Sequence, residues 1–392
     1  MDKKFETAVN RENSLERKSD KKYLSNNYPV SLDKKIINSS IADLNFETPY
    51  EICEAIKKRA NIRSFSYTYI SDDSLSAIQS WYKNEHKSDI NLTEIKLVHG
   101  TVNAMYQIVQ SFTNVGDSIL IQTPIYEPFA RCILHNDRKI VENKLIFENN
   151  TYKIDFKKLE ASIKENNIKL FLFCNPHNPG GKNWNNEDLK EIIDICLRNN
   201  VILFSDEVHS DLDYSNNFTT LLKYKEIHKL LIIANSPNKP FNLGGLKGSY
   251  LVIKNPNLKK IIDQNYEKNS LTSPNVFLQP AIIEAYTNPN VKKWLDDLKD
   301  IMKSNFEFFK SETSEMKFEI FESESSYLPW IKFNYEITDE EFKQACFKEN
   351  LIFNFYDNFY GAERKWFRLN TGCPREEIEL TIKILKNIFE KW

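Results

Sequence analysis

Three short stretches carry residue types that could do chemistry together. In "NSPNKPFNLGGLKGS" (235–249) Lys239 stands between two prolines, just after the apolar run "LLIIANS" (230–236). An ammonium partly removed from water loses its proton more easily, which makes the amine nucleophilic near neutral pH. In "LFSDEVHSDL" (203–212) Asp206 closes another apolar run. A carboxylate there is costly unless it meets a cation or hydrogen-bond donors, although a helix cap or loop acid would read the same way. In "VHGTVNAMYQIVQSF" (98–112) a glycine turn runs straight into a helical pattern. The amides of Thr101 and Val102 are then left at the positive end of a helix dipole, where a phosphate would fit. An ordinary turn has the same appearance, and no GKS or GKT follows to make a P-loop. A lysine, a buried acid and a phosphate nest in one place point to pyridoxal phosphate.

Such a site needs a scaffold that brings distant segments to one edge. From about residue 100, short apolar runs alternate with helical patterns: "SILIQ" (118–122), "IKLFLFC" (168–174), "VILFSD" (201–206) and "LLIIANS". Between them "NEDLKEIIDICLRNN" (186–200) places Leu189, Ile192, Ile193 and Cys196 at helical spacing. This alternation predicts an α/β fold, a mainly parallel sheet covered by helices on both faces. Glycine, only 9 of 392 residues, clusters at "VHGT", "NPHNPGGK" (175–182), "FNLGGLKGS", "YGAER" (360–364) and "NTGCP" (370–374). The first three clusters follow or flank predicted strands, where open α/β sheets bind ligands. After about residue 290 the order shifts to a long amphipathic helix, "MKFEIF", "PWIKFNY", a helix from about Thr338, "LIFNF", "WFRLN" and a helix from Pro374. That part reads as a smaller α+β domain, and the lysine-rich opening of about 40 residues as a surface wrap.

Composition removes whole classes of partner. Lysine plus arginine total 53 against 55 aspartate plus glutamate, a net charge of −2. No global field draws the chain to nucleic acid or to an anionic membrane, so the expected partner is a small molecule. No stretch has the apolar length of a membrane span, and the first residues lack the apolar core of a secretory signal, so a cytoplasmic location is expected. The six cysteines show no CxxC pairing; reduced packing residues are expected, with neither a disulfide framework nor a metal site.

Read in order, "ADLNFETP" (42–49), "FSYT" (65–68), "HGTVNA" (99–104), "VGDSILIQTPIYEPF" (115–129), "CNPHNPGGK" (174–182), "SDEVHSDL" (205–212), "NSPNKPFNLGGL" (235–246), "SYLPWIKF" (326–333) and "FRLNTGCPR" (367–375) resemble the fold-type I pyridoxal-phosphate enzymes. These form the aspartate aminotransferase superfamily, and the likeness is strongest to its cystathionine beta-lyase branch. The resemblance implies a PLP-dependent transferase fold, with a seven-stranded, mainly parallel sheet in a large domain (46–288) and a smaller α+β domain (1–45 with 289–392). It implies that Lys239 bonds the cofactor and later moves the substrate α-proton. It also implies that Asp206 faces the pyridine nitrogen, Asn178 the ring hydroxyl and Tyr126 the ring face, with His209 three residues after the acid. For the phosphate it implies Thr101, Val102, Ser236, Lys247, and Tyr67 reaching across from a second subunit, hence a homodimer with shared sites. Arg368 would take the substrate carboxylate.

The chain also departs from the pattern. "NKPFN" has proline at 240, "GTVNA" replaces the commoner "GVVPA", Lys182 stands where arginine is usual, and "ADLNF" replaces "ADMDF". The expected activity is cleavage of cystathionine or a related S-substituted cysteine to pyruvate, ammonia and a thiol. An aminotransferase using the same residues is the alternative, and a catalytically silent binding protein is a third reading that the intact Lys239, Asp206 and Arg368 oppose.

Overall fold

In the computed structural model, which describes residues 5–392, seven strands build the central sheet. They are β1 (Ile95–Val98), β2 (Ser118–Thr123), β3 (Lys139–Lys144), β4 (Leu170–Cys174), β5 (Ile202–Asp206), β6 (Leu231–Asn235) and β7 (Ser249–Val252), in the order β1-β7-β6-β5-β4-β2-β3. β7 alone runs against the direction of the other six. The four apolar runs thus become β2, β4, β5 and β6, each trimmed or extended by a residue or two. Successive side chains feed opposite faces: Phe171, Phe173, Leu231 and Ile233 enter one core, Leu170, Leu172, Ile232 and Ala234 another. That two-sided burial is why these strands read as continuous apolar runs rather than alternating ones.

Because β1 is antiparallel to β7, and β7 to β6, the carboxyl end of β1 lies on the same sheet edge as those of the parallel strands. Every segment that follows β1, β2, β4, β5 and β6 therefore opens on one edge. After β1 the chain turns at Gly100, whose φ of 95° is a conformation that side-chain-bearing residues avoid, and enters α1 (Thr101–Phe112). The predicted helix at 186 forms as α2 (Asn186–Asn199), capped by the Asn185 side chain accepting from Asp188 N.

The chain from residue 289 onward forms α3 (Pro289–Glu312), whose first half packs into the core of the central sheet, then β8 (Phe318–Ile320), β9 (Trp330–Phe333), α4 (Asp339–Lys348), β10 (Asn354–Phe355), β11 (Trp366–Arg368) and α5 (Arg375–Phe389). Its sheet is antiparallel, in the order β8-β9-β11-β10. A capping box starts α4: Thr338 Oγ1 accepts from Glu341 N, and the Glu341 carboxylate accepts from Thr338 N. An aromatic core of Phe309, Phe333, Phe342, Phe355, Phe367 and Phe389 joins these elements. The stretch "LIFNF" corrects its single-strand reading. Leu351–Ile352 pairs in parallel with Ile37–Asn38, whereas Asn354–Phe355 joins the antiparallel sheet.

The opening segment is more than a surface wrap, with its first four residues outside the described part. Phe5 is buried edge-on against Phe46, Leu24 lies in the second core, and Lys18 is buried with its ammonium donating to Asp43 O at 2.6 Å. Among the described residues no helix is long and apolar enough to cross a membrane, and all six cysteines are free.

Candidate active site

The segment after β6 turns tightly. Ser236 Oγ donates to Gly248 O at 2.7 Å and accepts from Asn238 N at 3.1 Å, and Phe241 N donates to Pro237 O. This turn needs no amide at position 240, so the proline departure is accommodated. It carries Lys239, half-buried, inward to donate from Nζ to Ala42 O at 2.9 Å. Burial lowers the pKa of Lys239 below the ordinary lysine value, and the Arg368 and Lys247 charges add to the effect, while Asp43 and Asp206 oppose it. The amine is thereby brought closer to neutral at physiological pH.

Asp206 is the last residue of β5 and is 6% exposed. Val208 N donates to its Oδ1 at 3.2 Å. Burial pushes its carboxyl up to about 7, against the pull of that hydrogen bond and of the Lys239 charge. A carboxyl so short of partners calls for a positive N–H group opposite it. His209 is buried, with Nδ1 3.1 Å from Ser326 Oγ, and burial together with the Lys239 and Arg368 charges holds it neutral.

Arg368, 2% exposed at the end of β11, reaches the same edge from the antiparallel sheet. Its Nη1 donates to Asn178 Oδ1 at 3.3 Å and its Nη2 to Ser40 O at 3.0 Å, while Nε is buried without a partner. Among the described residues no carboxylate is ion-paired with this guanidinium. Burial lowers its pKa to about 10, and its hydrogen-bonding capacity suits the two oxygens of a carboxylate. Asn178 O accepts from Tyr126 N at 3.1 Å, and the Tyr126 ring is partly exposed beside it.

At the other end lies the start of α1. The first helical bond there is Ala104 N to Gly100 O, so the amides of Thr101 and Val102 have no intrahelical acceptor. Thr101 Oγ1 lies 3.0 Å from Ser249 Oγ. Lys247 is exposed, in a left-handed turn close enough for its charge to act on Lys239. The structure thus gathers Lys239, Asp206, His209, Asn178, Tyr126, Arg368, Ser236, Lys247, Thr101 and Val102 along one edge. Tyr67 stays apart: its side chain is fully exposed on an irregular segment.

Sequence reasoning passed over several participants. Ser40 and Ala42 act through backbone carbonyls, which leave no trace in residue type. Tyr327, Ser326 and Ser249 lie inside or beside motifs already singled out. Lys182 turns its ammonium over the Trp184 ring, 5.5 Å from the centroid, so it does not take up an arginine-like two-pronged contact here.

The acids supply a first testable consequence. Burial pushes Asp206, and the adjacent, fully buried Glu207, up to about 7 from 3.8 and 4.5. Between the unfolded and folded values the folded chain binds more protons than the unfolded one. The stability this contributes is present in full below the unfolded values and is lost as pH rises through about 7. The buried His177 and His209, held neutral, act in the opposite sense below about pH 6.5, so the test is a comparison: the melting temperature of cofactor-free Asp206→Asn, relative to wild type, is expected to rise as pH goes from about 5 to about 8. A difference that stays constant or falls over this range contradicts the assignment.

These features fit pyridoxal phosphate. An under-partnered buried carboxyl suits a protonated ring nitrogen, free helix-start amides suit a phosphate, and a depressed lysine suits covalent attachment. Comparison with known proteins agrees. The family described as "Aminotransferase class I and II" matches residues 34–385. The chain is 32% identical over 354 residues to cystathionine beta-lyase PatB of Bacillus subtilis (strain 168), covering 88% of this chain and 90% of that protein. It is 27% identical over 355 residues to protein MalY of Escherichia coli (strain K12), covering 89% and 90%. Among solved structures it superposes on cystalysin from Treponema denticola, which contains a pyridoxal 5'-phosphate cofactor, with a TM-score of 0.93 and 28% identity, covering 99% of this chain and 98% of that one.

Proposed function

The chain belongs to the class I and II aminotransferase family, and we propose that within it the chain is a carbon–sulfur β-lyase whose cofactor is pyridoxal 5'-phosphate. The observation that carries this reading is the meeting of Lys239, Asp206 and Arg368 at one sheet edge, in a chain that resembles a cystathionine beta-lyase over most of its length. The substrate class is cystathionine or another S-substituted cysteine.

When bound, pyridoxal phosphate supplies an electron-poor ring that makes the substrate α-proton removable. The start of α1, with Thr101, Val102 and Lys247, would hold the phosphate end, and Ser236 would join them if its O–H left Gly248 O. Asp206 would set a negative charge against a protonated ring nitrogen, where charge develops as the α-proton leaves. Asn178, Tyr126 and the neutral His209 would orient the ring and exclude water. Arg368 binds the substrate carboxylate through paired N–H donors, which fixes how the α-carbon faces Lys239. Lys239 Nζ takes the α-proton. The pair left at Cα becomes a Cα–Cβ double bond as the Cβ–S bond breaks with its own pair leaving on sulfur, which takes up a proton as the thiol, and water hydrolyses the released enamine to pyruvate and ammonia.

The test separates lyase from aminotransferase. With L-cystathionine or S-alkyl cysteines and no keto acid, pyruvate, ammonia and a free thiol are expected to accumulate over many turnovers. A stall after one turnover, relieved by adding a keto acid, makes the chain an aminotransferase. No product from any of them, with or without a keto acid, makes it a binding protein.

We extend the reading to a homodimer with shared sites. Its support is the exposed apolar group Tyr50, Ile62, Phe65, Tyr67 and Tyr69, between 63% and 104% exposed, a concentration that usually marks an interface. Tyr67 would then reach the partner's phosphate. Mixing Tyr67→Phe and Lys239→Ala chains is expected to give more activity than the weaker parent, since one of the two sites regains both residues. Proven subunit exchange without that gain would rule the sharing out.

The division into 46–288 and 1–45 with 289–392 is part of the same proposal. It is supported by the pairing of Ile37–Asn38 with Leu351–Ile352 and by the second core; crystal structures with and without substrate that move as differently divided units would redraw it. A cytoplasmic location is supported by six unpaired cysteines, and cell fractionation tests it.

A further inference from the structure

One carbonyl at the site is held from two directions. Ala42 O accepts from Lys239 Nζ at 2.9 Å and from Tyr327 Oη at 2.9 Å. Tyr327 is fully buried, and because a carbonyl cannot donate, its O–H must point at Ala42. Burial raises the phenol pKa well above its ordinary value, so the proton stays in place.

The carbonyls on either side are pinned as well. Asn370 Nδ2 donates to Ile41 O at 3.1 Å and to Asp43 O at 2.9 Å, while its own Oδ1 accepts from Gly372 N. Thr371 N donates to Tyr327 O at 2.8 Å, tying the two clamping residues together. Gly372 has no Cβ, and one placed there would lie 3.2 Å from the Tyr327 ring. Ala42, Tyr327 and Asn370 lie on one side of the proposed division at 45/46 and 288/289, and Lys239 on the other, so the clamp spans it.

We propose that Tyr327, seconded by Asn370, is a positioning residue that aims Lys239 Nζ through the carbonyl of Ala42. The inference rests on Lys239 being the base of the proposed reaction. Whenever Lys239 is a free amine, it has a long, flexible stem and a lone pair that can point in many directions. An N–H committed to a fixed carbonyl removes most of them, leaving the lone pair directed into the site. A carbonyl serves this purpose only if it is itself immobile, and the O–H of Tyr327 together with the amide of Asn370 makes it so.

The test is Tyr327→Phe, which keeps the ring and deletes only the hydroxyl. Turnover is expected to fall about tenfold with KM little changed, as for a reacting group held slightly out of line. Two readouts then separate positioning from general structural damage. With α-deuterated substrate the primary isotope effect on turnover is expected to rise, because proton removal becomes more limiting. In cofactor-free protein, reductive methylation of Lys239 followed across pH by peptide mass spectrometry is expected to show its midpoint moving by about half a unit or more, since the acceptor of its ammonium is no longer shared with and held by the phenol. If either readout matches the wild type, the proposal is overturned. Should Tyr327→Phe not fold, Asn370→Ala, which removes the donors to the Ile41 and Asp43 carbonyls without adding a charge, is expected to move both readouts and is judged by the same criterion. The methylation arm does not depend on the reaction. Failure of the lyase reading would appear instead as wild-type protein that forms no pyruvate from any S-substituted cysteine.

Discussion

Lys239→Ala is expected to reduce turnover by about four orders of magnitude or more and to abolish the covalent attachment of pyridoxal phosphate. The size follows from two losses at one atom. The chain loses the amine that bonds the cofactor, and it loses the base that moves the α-proton. The other amines nearby are poor replacements. Lys247 is exposed in a left-handed turn, and Lys182 lies over Trp184. Borohydride reduction of the wild-type protein with bound cofactor, followed by peptide mapping, should label Lys239 alone, and the variant should carry no label. Added methylamine, small enough to enter the space vacated by the side chain, should restore a small part of the activity. A label on Lys182 or Lys247 in the wild type, or a variant within tenfold of wild-type turnover, would refute the assignment.

Arg368→Lys is expected to raise KM about 100-fold or more, equivalent to about 2.7 kcal/mol, while leaving cofactor absorbance near that of the wild type. The guanidinium spans Asn178 Oδ1 and Ser40 O with separate nitrogens and keeps Nε in reserve. An ammonium on a shorter stem cannot reach two acceptors and present a two-pronged face to a carboxylate at the same time. Arg368 also stacks on the Phe359 ring, 5.1 Å from its centroid, so the substitution leaves a gap as well as a weaker donor. The discriminating measurement uses a substrate whose carboxylate is replaced by an amide. If Arg368 reads that group, the amide is a poor substrate for the wild type, and the substitution costs it little more. An equal loss for acid and amide substrates would show that Arg368 acts only on the fold.

Much of this architecture was legible because burial on both faces of a parallel strand leaves an unbroken apolar run. β4, β5 and β6 could be read from "IKLFLFC", "VILFSD" and "LLIIANS" for that reason, and the polar residue that interrupts each run marks where the strand reaches the ligand-binding edge. Residues whose role depends on side-chain type, such as Lys239, Asp206 and Arg368, could be singled out in the same way. "LIFNF" could not be resolved, because five residues that join two different sheets have the composition of one strand.

Only the tertiary structure decided which of these residues meet. Arg368 arrives beside Asn178 from 190 positions away, its guanidinium bonded to an amide oxygen and a backbone carbonyl. Lys239 and Tyr327 converge on Ala42, the first residue of "ADLNFETP", whose methyl side chain takes no part in the contact. The contact is made by its carbonyl oxygen, a group present on every residue of the chain, so its part in the site is set wholly by the direction in which the fold points it.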